Sequence, residues 1–147
     1  MSVTNVLRDG GYIQNAEELT GPFGAALAEG KLIVQRCLDC SALIMYPKYR
    51  CPTCFSGNLG WHQVSGAGTL ATFTILRYGP PSSFDVEAPY CIGIVKLDEG
   101  PQLMCRMHPG SDGTWDHYVC EQRVNFVPAD AAEVAERPAA WFSAALG

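Results

Sequence analysis

The chain has 147 residues, of which 48% are hydrophobic and 17% charged, with a formal net charge of -5 and a mean hydropathy near zero. That length holds one modest core and a small appendage, and the apolar content is too high for a disordered chain. An acidic balance argues against a generic nucleic-acid binder, and no apolar run approaches a bilayer span, so neither nucleic acid nor membrane is expected as a partner.

Met1 to Asn15 shows no sustained period and reads as an extended arm. It contains no apolar core flanked by basic residues, so the expected compartment is the cytoplasm. Asn15-Ala16-Glu17-Glu18 has the form of a capping box and predicts a short helical turn. Thr20 offers a second cap, Pro22 suits the first turn of a following helix, and Gly30 ends it. Phe23, Ala26 and Leu27 share one face of that helix, directed at the chain's own core or at another subunit.

Lys31 to Gln35 predicts a strand running into Cys37-Leu38-Asp39-Cys40, and ten residues later comes Cys51-Pro52-Thr53-Cys54. Two tandem Cys-x-x-Cys knuckles aim four thiolates at one point, the ligand set of a tetrahedral zinc ion. Separate redox motifs or disulfides are the alternatives. An odd total of seven cysteines and the lack of a secretory signal weigh against disulfides. Four cysteine ligands leave no open coordination position, so the expected zinc is structural. Leu43 to Tyr46 predicts a strand inside this ribbon, ended by Pro47.

Trp61 to Val64, a Gly66/Gly68 break and Thr69 to Tyr78 form a long β segment. The glycine pair predicts a bulge or bend that lets one strand serve both sides of a small barrel. Gly79 to Pro89 is a proline-rich loop. Tyr90 to Leu97 and Gln102 to Met107 flank an Asp98-Glu99-Gly100 hairpin turn. His108 to Tyr118 is polar and irregular, and Arg123 to Val127 brings the strand count to five, the number of an OB barrel. Asp130 caps a helix over Ala131 to Glu136 that Pro138 interrupts. The charge-free end, with Trp141 and Phe142, is expected to anchor on a partner. The predicted fold is therefore mainly β with short N-terminal helices. An arm and helices span 1–35, a zinc ribbon 36–58, a five-stranded OB-fold barrel 59–129 and an apolar tail 130–147.

The order of these pieces carries a resemblance. A short helix leads to Gln35-Arg36-Cys37, then the ribbon, Trp61, Val64-Ser65-Gly66-Ala67-Gly68-Thr69-Leu70, Ala88-Pro89-Tyr90 and Val95-Lys96-Leu97-Asp98-Glu99-Gly100. Between Phe23 and Val127 this resembles the zinc-ribbon/OB-fold proteins that accompany thiolases, thiolase-like aldolases and hot-dog hydratases, in which the ribbon is rubredoxin-like. The resemblance implies a non-catalytic small subunit that binds coenzyme A thioesters and joins a thiolase-like acyl-CoA enzyme in lipid, steroid or aromatic degradation. The family often carries glycine straight after each knuckle, where Ser41 and Phe55 stand here, and ahead of the last strand, where Glu121 stands.

No catalytic constellation is visible. Cys91 and Cys105 lie in strand patterns and read as buried small hydrophobes, Cys120 has no base at useful spacing, and His62, His108 and His117 are scattered. A coenzyme A thioester needs cations for phosphate, flat faces for adenine and a narrow apolar groove for pantetheine. The candidates are Arg36, Lys48 and Arg50 on the ribbon and Arg77, Tyr78, Phe84 and Tyr90 around the proline loop. The competing functions are a nucleic-acid-binding ribbon and barrel and a ligand-free adaptor.

Overall fold

The computed structural model describes residues 13–77, 89–128 and 139–145. The expected arm up to Tyr12, the loop residues 78–88 with Tyr78 and Phe84, and the helix predicted over Ala131 to Glu136 lie outside them.

Asn15 caps α1 (Ala16–Ala28), its Oδ1 accepting the Glu18 N–H at 2.9 Å. Glu18 returns its carboxylate to the Gln14 N–H at 2.6 Å, one residue before the cap. The two helices expected from the sequence are one. Thr20 does not cap, because its hydroxyl donates to the Ala16 carbonyl one turn back at 3.0 Å, and Pro22 lies buried inside the helix. A hydroxyl bonded to the preceding turn cannot also cap the next one, and the helix runs on through Pro22. At the other end Gly30 takes φ +76°. Gly30 and Lys31 then donate to the Leu27 and Ala26 carbonyls, each at 2.9 Å, a Schellman termination that needs a left-handed residue.

A three-stranded sheet follows in the order β2-β1-β3, comprising β1 (Ile33–Cys37), β2 (Leu43–Ile44) and β3 (Leu59–Gln63). β3 pairs along all of β1, from Ile33 opposite Gln63 to Cys37 opposite Leu59. Trp61 thereby packs with Ile33 and Ala26 against Phe23. Gln35 on β1 is 0% exposed. Its amide nitrogen donates to the Lys48 carbonyl and its oxygen accepts the Lys48 N–H, both at 2.8 Å. One side chain thus replaces a backbone ladder rung and pins the loop between the knuckles.

The remaining strands close a barrel in the order β4-β5-β6-β8-β7, made by β4 (Ala67–Leu76), β5 (Tyr90–Leu97), β6 (Gln102–Met107), β7 (Arg123–Val127) and β8 (Trp141–Ala144). At Gly68 and Thr69 the strand β4 pairs with β5 on one side and β7 on the other. Gly66, just ahead of β4, takes φ +88°. A Cβ at Gly68 would sit 2.6 Å from the Lys96 carbonyl oxygen, so only glycine admits β5 that closely. The bulge falls later, where the register shifts between Leu70 and Thr72.

The five-stranded barrel is present, with one member exchanged. Trp141 and Phe142 were expected to anchor a partner; instead β8 runs antiparallel to β7 and parallel to β6 and seals the barrel. Phe142 is fully buried in the main core. The segment His108 to Tyr118, which reads as polar and irregular, also feeds that core. Trp115 donates its indole N–H to the Met107 carbonyl, and the Tyr118 hydroxyl donates to the His108 carbonyl, both at 2.8 Å.

Because Phe142 fills the barrel core, Phe142→Ala is expected to cost about 3–5 kcal/mol, read as a lower midpoint in urea unfolding. A variant of unchanged stability that only altered self-association would restore the docking role.

Candidate metal centre

The two knuckles are built alike. In the first, Ser41 N–H donates to the Cys37 carbonyl; in the second, Phe55 N–H donates to the Cys51 carbonyl; both bonds are 2.8 Å. Each turn also directs a backbone N–H at a sulfur: Cys40 to Cys37 Sγ at 3.5 Å and Thr53 to Cys51 Sγ at 3.3 Å. Closing such a turn requires a left-handed residue, and Ser41 and Phe55 supply it at φ 67° and 64°. These are the two positions where the related pattern carries glycine. Glu121, the third such position, is also left-handed at φ 70°. An L-residue there costs roughly 1–2 kcal/mol, and the departures noted in the sequence are therefore real sites of strain.

Polar side chains lock one knuckle to the other. Asp39 accepts from the Ser56 hydroxyl and from the Asn58 amide nitrogen at 3.4 Å, while Leu38 N–H donates to the Asn58 carbonyl at 3.0 Å. The result is a convergence of Cys37, Cys40, Cys51 and Cys54, whose sulfurs lie within 4.8 Å of one another. The closest pairs join opposite knuckles: Cys37 with Cys54 at 3.5 Å and Cys40 with Cys51 at 3.6 Å. A Zn–S length of about 2.3 Å implies tetrahedral edges of about 3.8 Å, so sulfurs at this spacing suit that ion.

The electrostatics favour a cation. Burial raises the Cys51 thiol, but the N–H groups of Cys54 and Thr53 and the neighbouring sulfurs outweigh it and bring the thiol down to about 6. The Ser56 N–H favours a thiolate at Cys54, yet burial and the other three sulfurs push it up to about 12. Four thiolates at this spacing repel, and a divalent ion at their centre removes the conflict.

The proposed coenzyme A contacts divide. Arg36, Lys48 and Arg50 are exposed on the ribbon, with Arg50 Nη1 donating to the Phe55 carbonyl at 3.2 Å. Arg77 follows β4, whose last residue Leu76 faces Tyr90, so Arg77 and Tyr90 share one end of the barrel. Tyr90 is buried. The Arg106 guanidinium lies 4.5 Å from its ring centre and 4.7 Å from that of Trp141, a cation–π sandwich absent from the sequence reading. Strand alternation around β6 could have found Arg106, but its partners come from β5 and β8. Beside it Phe23, Tyr46, Met104 and Ala140 line a 240 Å3 cleft that touches none of the described candidates Arg36, Lys48, Arg50, Arg77 and Tyr90.

The barrel thiols are inert. Burial raises Cys91 to about 11 against the pull of Arg106 and raises Cys105 to about 12. Both are neutral near pH 7 and lack a thiolate for attack.

The ribbon geometry generates two expectations. Cys54→Ser is expected to lower the zinc content, measured by atomic absorption, well below one ion per chain and to unfold the ribbon. Phe55→Gly relieves the left-handed strain and is expected to raise stability by about 0.5–1 kcal/mol at full metal content, measured by denaturant titration.

Comparison with known proteins matches this architecture. Residues 25–60 match the model of the ChsH2 rubredoxin-like zinc ribbon domain, and residues 61–127 that of the ChsH2 C-terminal OB-fold domain. A DUF35 domain-containing scaffold protein of Pyrococcus furiosus is 40% identical over 65 residues, covering 44% of this chain and 47% of that protein. A probable enoyl-CoA hydratase alpha subunit of Thermomonospora curvata is 32% identical over 84 residues, covering 56% of this chain and 25% of that one. The matched segments thus span less than half the length of these two relatives. Among solved structures, the Ltp2-ChsH2(DUF35) aldolase contains a chain that superposes with TM-score 0.73 at 20% identity, covering 91% of this chain and all of that one. With both halves of the ChsH2 pattern in tandem across residues 25–127, the chain belongs to the ChsH2-type family of zinc-ribbon and OB-fold proteins.

Proposed function

We propose that this chain is a non-catalytic small subunit of a thiolase-like acyl-CoA enzyme, holding one structural zinc through Cys37, Cys40, Cys51 and Cys54 and helping the partner to bind a coenzyme A thioester. The observation that carries the reading is the ribbon locked onto a closed barrel across 91% of the chain, in the arrangement of a DUF35 chain from an aldolase. The neutral thiols of Cys91 and Cys105 fit a subunit that leaves bond making to its partner. For the thioester, Arg77 follows Leu76, the partner of Tyr90, and is exposed at that end of the barrel, a cation that suits phosphate. The same reading puts the chain in the cytoplasm, where thiols stay reduced.

A nucleic-acid role is disfavoured by the barrel itself. The outward residues of β5 and β6 are Ile92, Ile94, Lys96, Gln102, Met104 and Arg106. A single-strand binder stacks bases on aromatic rings there, and these six residues include none.

The test is co-expression of the tagged chain with an Ltp2-type subunit from the same organism. The pair is expected to co-elute and to cleave or form the acyl-CoA bond, while the isolated chain shows no turnover. Cys91→Ala is expected to leave the activity of the pair within about twofold of wild type, as for a buried hydrophobe. Turnover by the isolated chain, lost in Cys91→Ala, would overturn the non-catalytic assignment, and absence of any complex would overturn the subunit assignment.

A further inference from the structure

Alternation along β5 and β6 places three cross-strand pairs on the outer wall of the barrel: Ile92 with Arg106, Ile94 with Met104, and Lys96 with Gln102. Their sequence neighbours are buried. The wall therefore reads as an apolar band closed at either end by a cation. Met104 is 55% exposed, and Tyr46, which reaches over from the ribbon at 49% exposure, accepts the Met104 N–H on its hydroxyl at 2.6 Å. Grooves of 210 and 240 Å3 meet at this Tyr46–Met104 bridge.

We propose that this wall is the surface on which the catalytic partner docks, and that the partner presents an amphipathic helix whose apolar stripe is flanked by carboxylates; the inference rests on the subunit reading above. The grooves are shallow, with their central residues half in water, whereas a small-molecule site buries most of its ligand. A protein surface covers such a band completely. From Ile92 to Lys96 the band runs on the order of 13 Å along the strand, close to two turns of helix, which matches anchors at i, i+3 and i+7 of a helix laid in a groove. Charge selects the partner. The chain is acidic overall, at -5, yet this band ends in Lys96 and Arg106, so carboxylates on the incoming helix are favoured. A second copy of the chain, docked by the same patch, would bring cation toward cation. Methionine at the centre adapts its shape to the opposing side chains.

The test compares the wild-type chain with an Ile94→Glu/Met104→Glu double variant and a Lys96→Glu variant, each mixed with the purified Ltp2-type subunit of the same organism. All three substitutions point outward, and circular dichroism and zinc content check that fold and ribbon are retained. The double variant is expected to weaken the complex by about 100-fold or more, as removal of an interface centre does. Lys96→Glu is expected to weaken it less, with a deficit that shrinks as salt rises. If the wild-type complex forms and the double variant binds within about threefold of it, the docking surface is overturned while the subunit reading stands. Absence of a wild-type complex overturns the subunit reading, and this proposal with it. A wild-type chain that is dimeric alone and made monomeric by the double variant overturns the proposal in favour of self-association.

Discussion

Four sulfurs within 4.8 Å of one another cannot all carry charge unless a cation lies among them, and that constraint organises the N-terminal half of the chain. Each knuckle is a tight turn with a left-handed residue at its end, Ser41 or Phe55, and each aims a backbone N–H at sulfur. The strain of two non-glycine residues in that conformation is sustained by what surrounds them: Asp39 tying the first knuckle to Ser56 and Asn58, and Gln35 holding the loop between them at Lys48. Metal ligation and these contacts support one another, so the ribbon is expected to loosen when a ligand is lost.

The ribbon and the barrel are not independent beads. The strand β1 leaves the helix α1, carries Gln35 and delivers Cys37, while β3 returns beside it before the chain enters β4. A disturbance at the metal therefore reaches β3 and Trp61 through shared backbone pairing. On the far side, Tyr46 extends from the ribbon loop to the backbone of β6 at Met104. This contact lies opposite Ile94 of β5, two residues before β6 begins to pair with β8 at Arg106.

Burial assigns the cysteines two different chemistries. In the ribbon, opposing influences separate the thiols, with Cys51 near 6 and Cys54 near 12, the mark of sites that interact. In the barrel, desolvation dominates, and Cys91 and Cys105 remain neutral as small apolar fillers beside Met107. The same element in the same oxidation state is a metal donor in one place and packing in the other: backbone N–H groups outweigh desolvation at Cys51, whereas the pull of Arg106 does not outweigh it at Cys91.

The local signals in the sequence were sufficient wherever structure depends on residues close in the chain. The knuckle spacing, the Asn15 cap, the left-handed Gly30 and the strand alternation of β5 and β6 are all decided within a few residues, and the left-handed state of Ser41, Phe55 and Glu121 was marked by the glycines expected there. Membership of sheets was decided only in three dimensions. Leu59 to Gln63 reads as a strand, but nothing local says whether it pairs with β1 or with the barrel. Trp141 and Phe142 read as a sticky end, because their charge-free run looks the same whether it covers a partner or completes a core. Trp115 and Tyr118 were hidden in a polar stretch since their hydrogen bonds run to the Met107 and His108 carbonyls, eight or more residues back in the chain. The Arg106 sandwich likewise needs Tyr90 and Trp141 from two other strands. Side-chain periodicity specifies which face of an element is apolar; the closure of the barrel, with β8 between β6 and β7, specifies what that face meets.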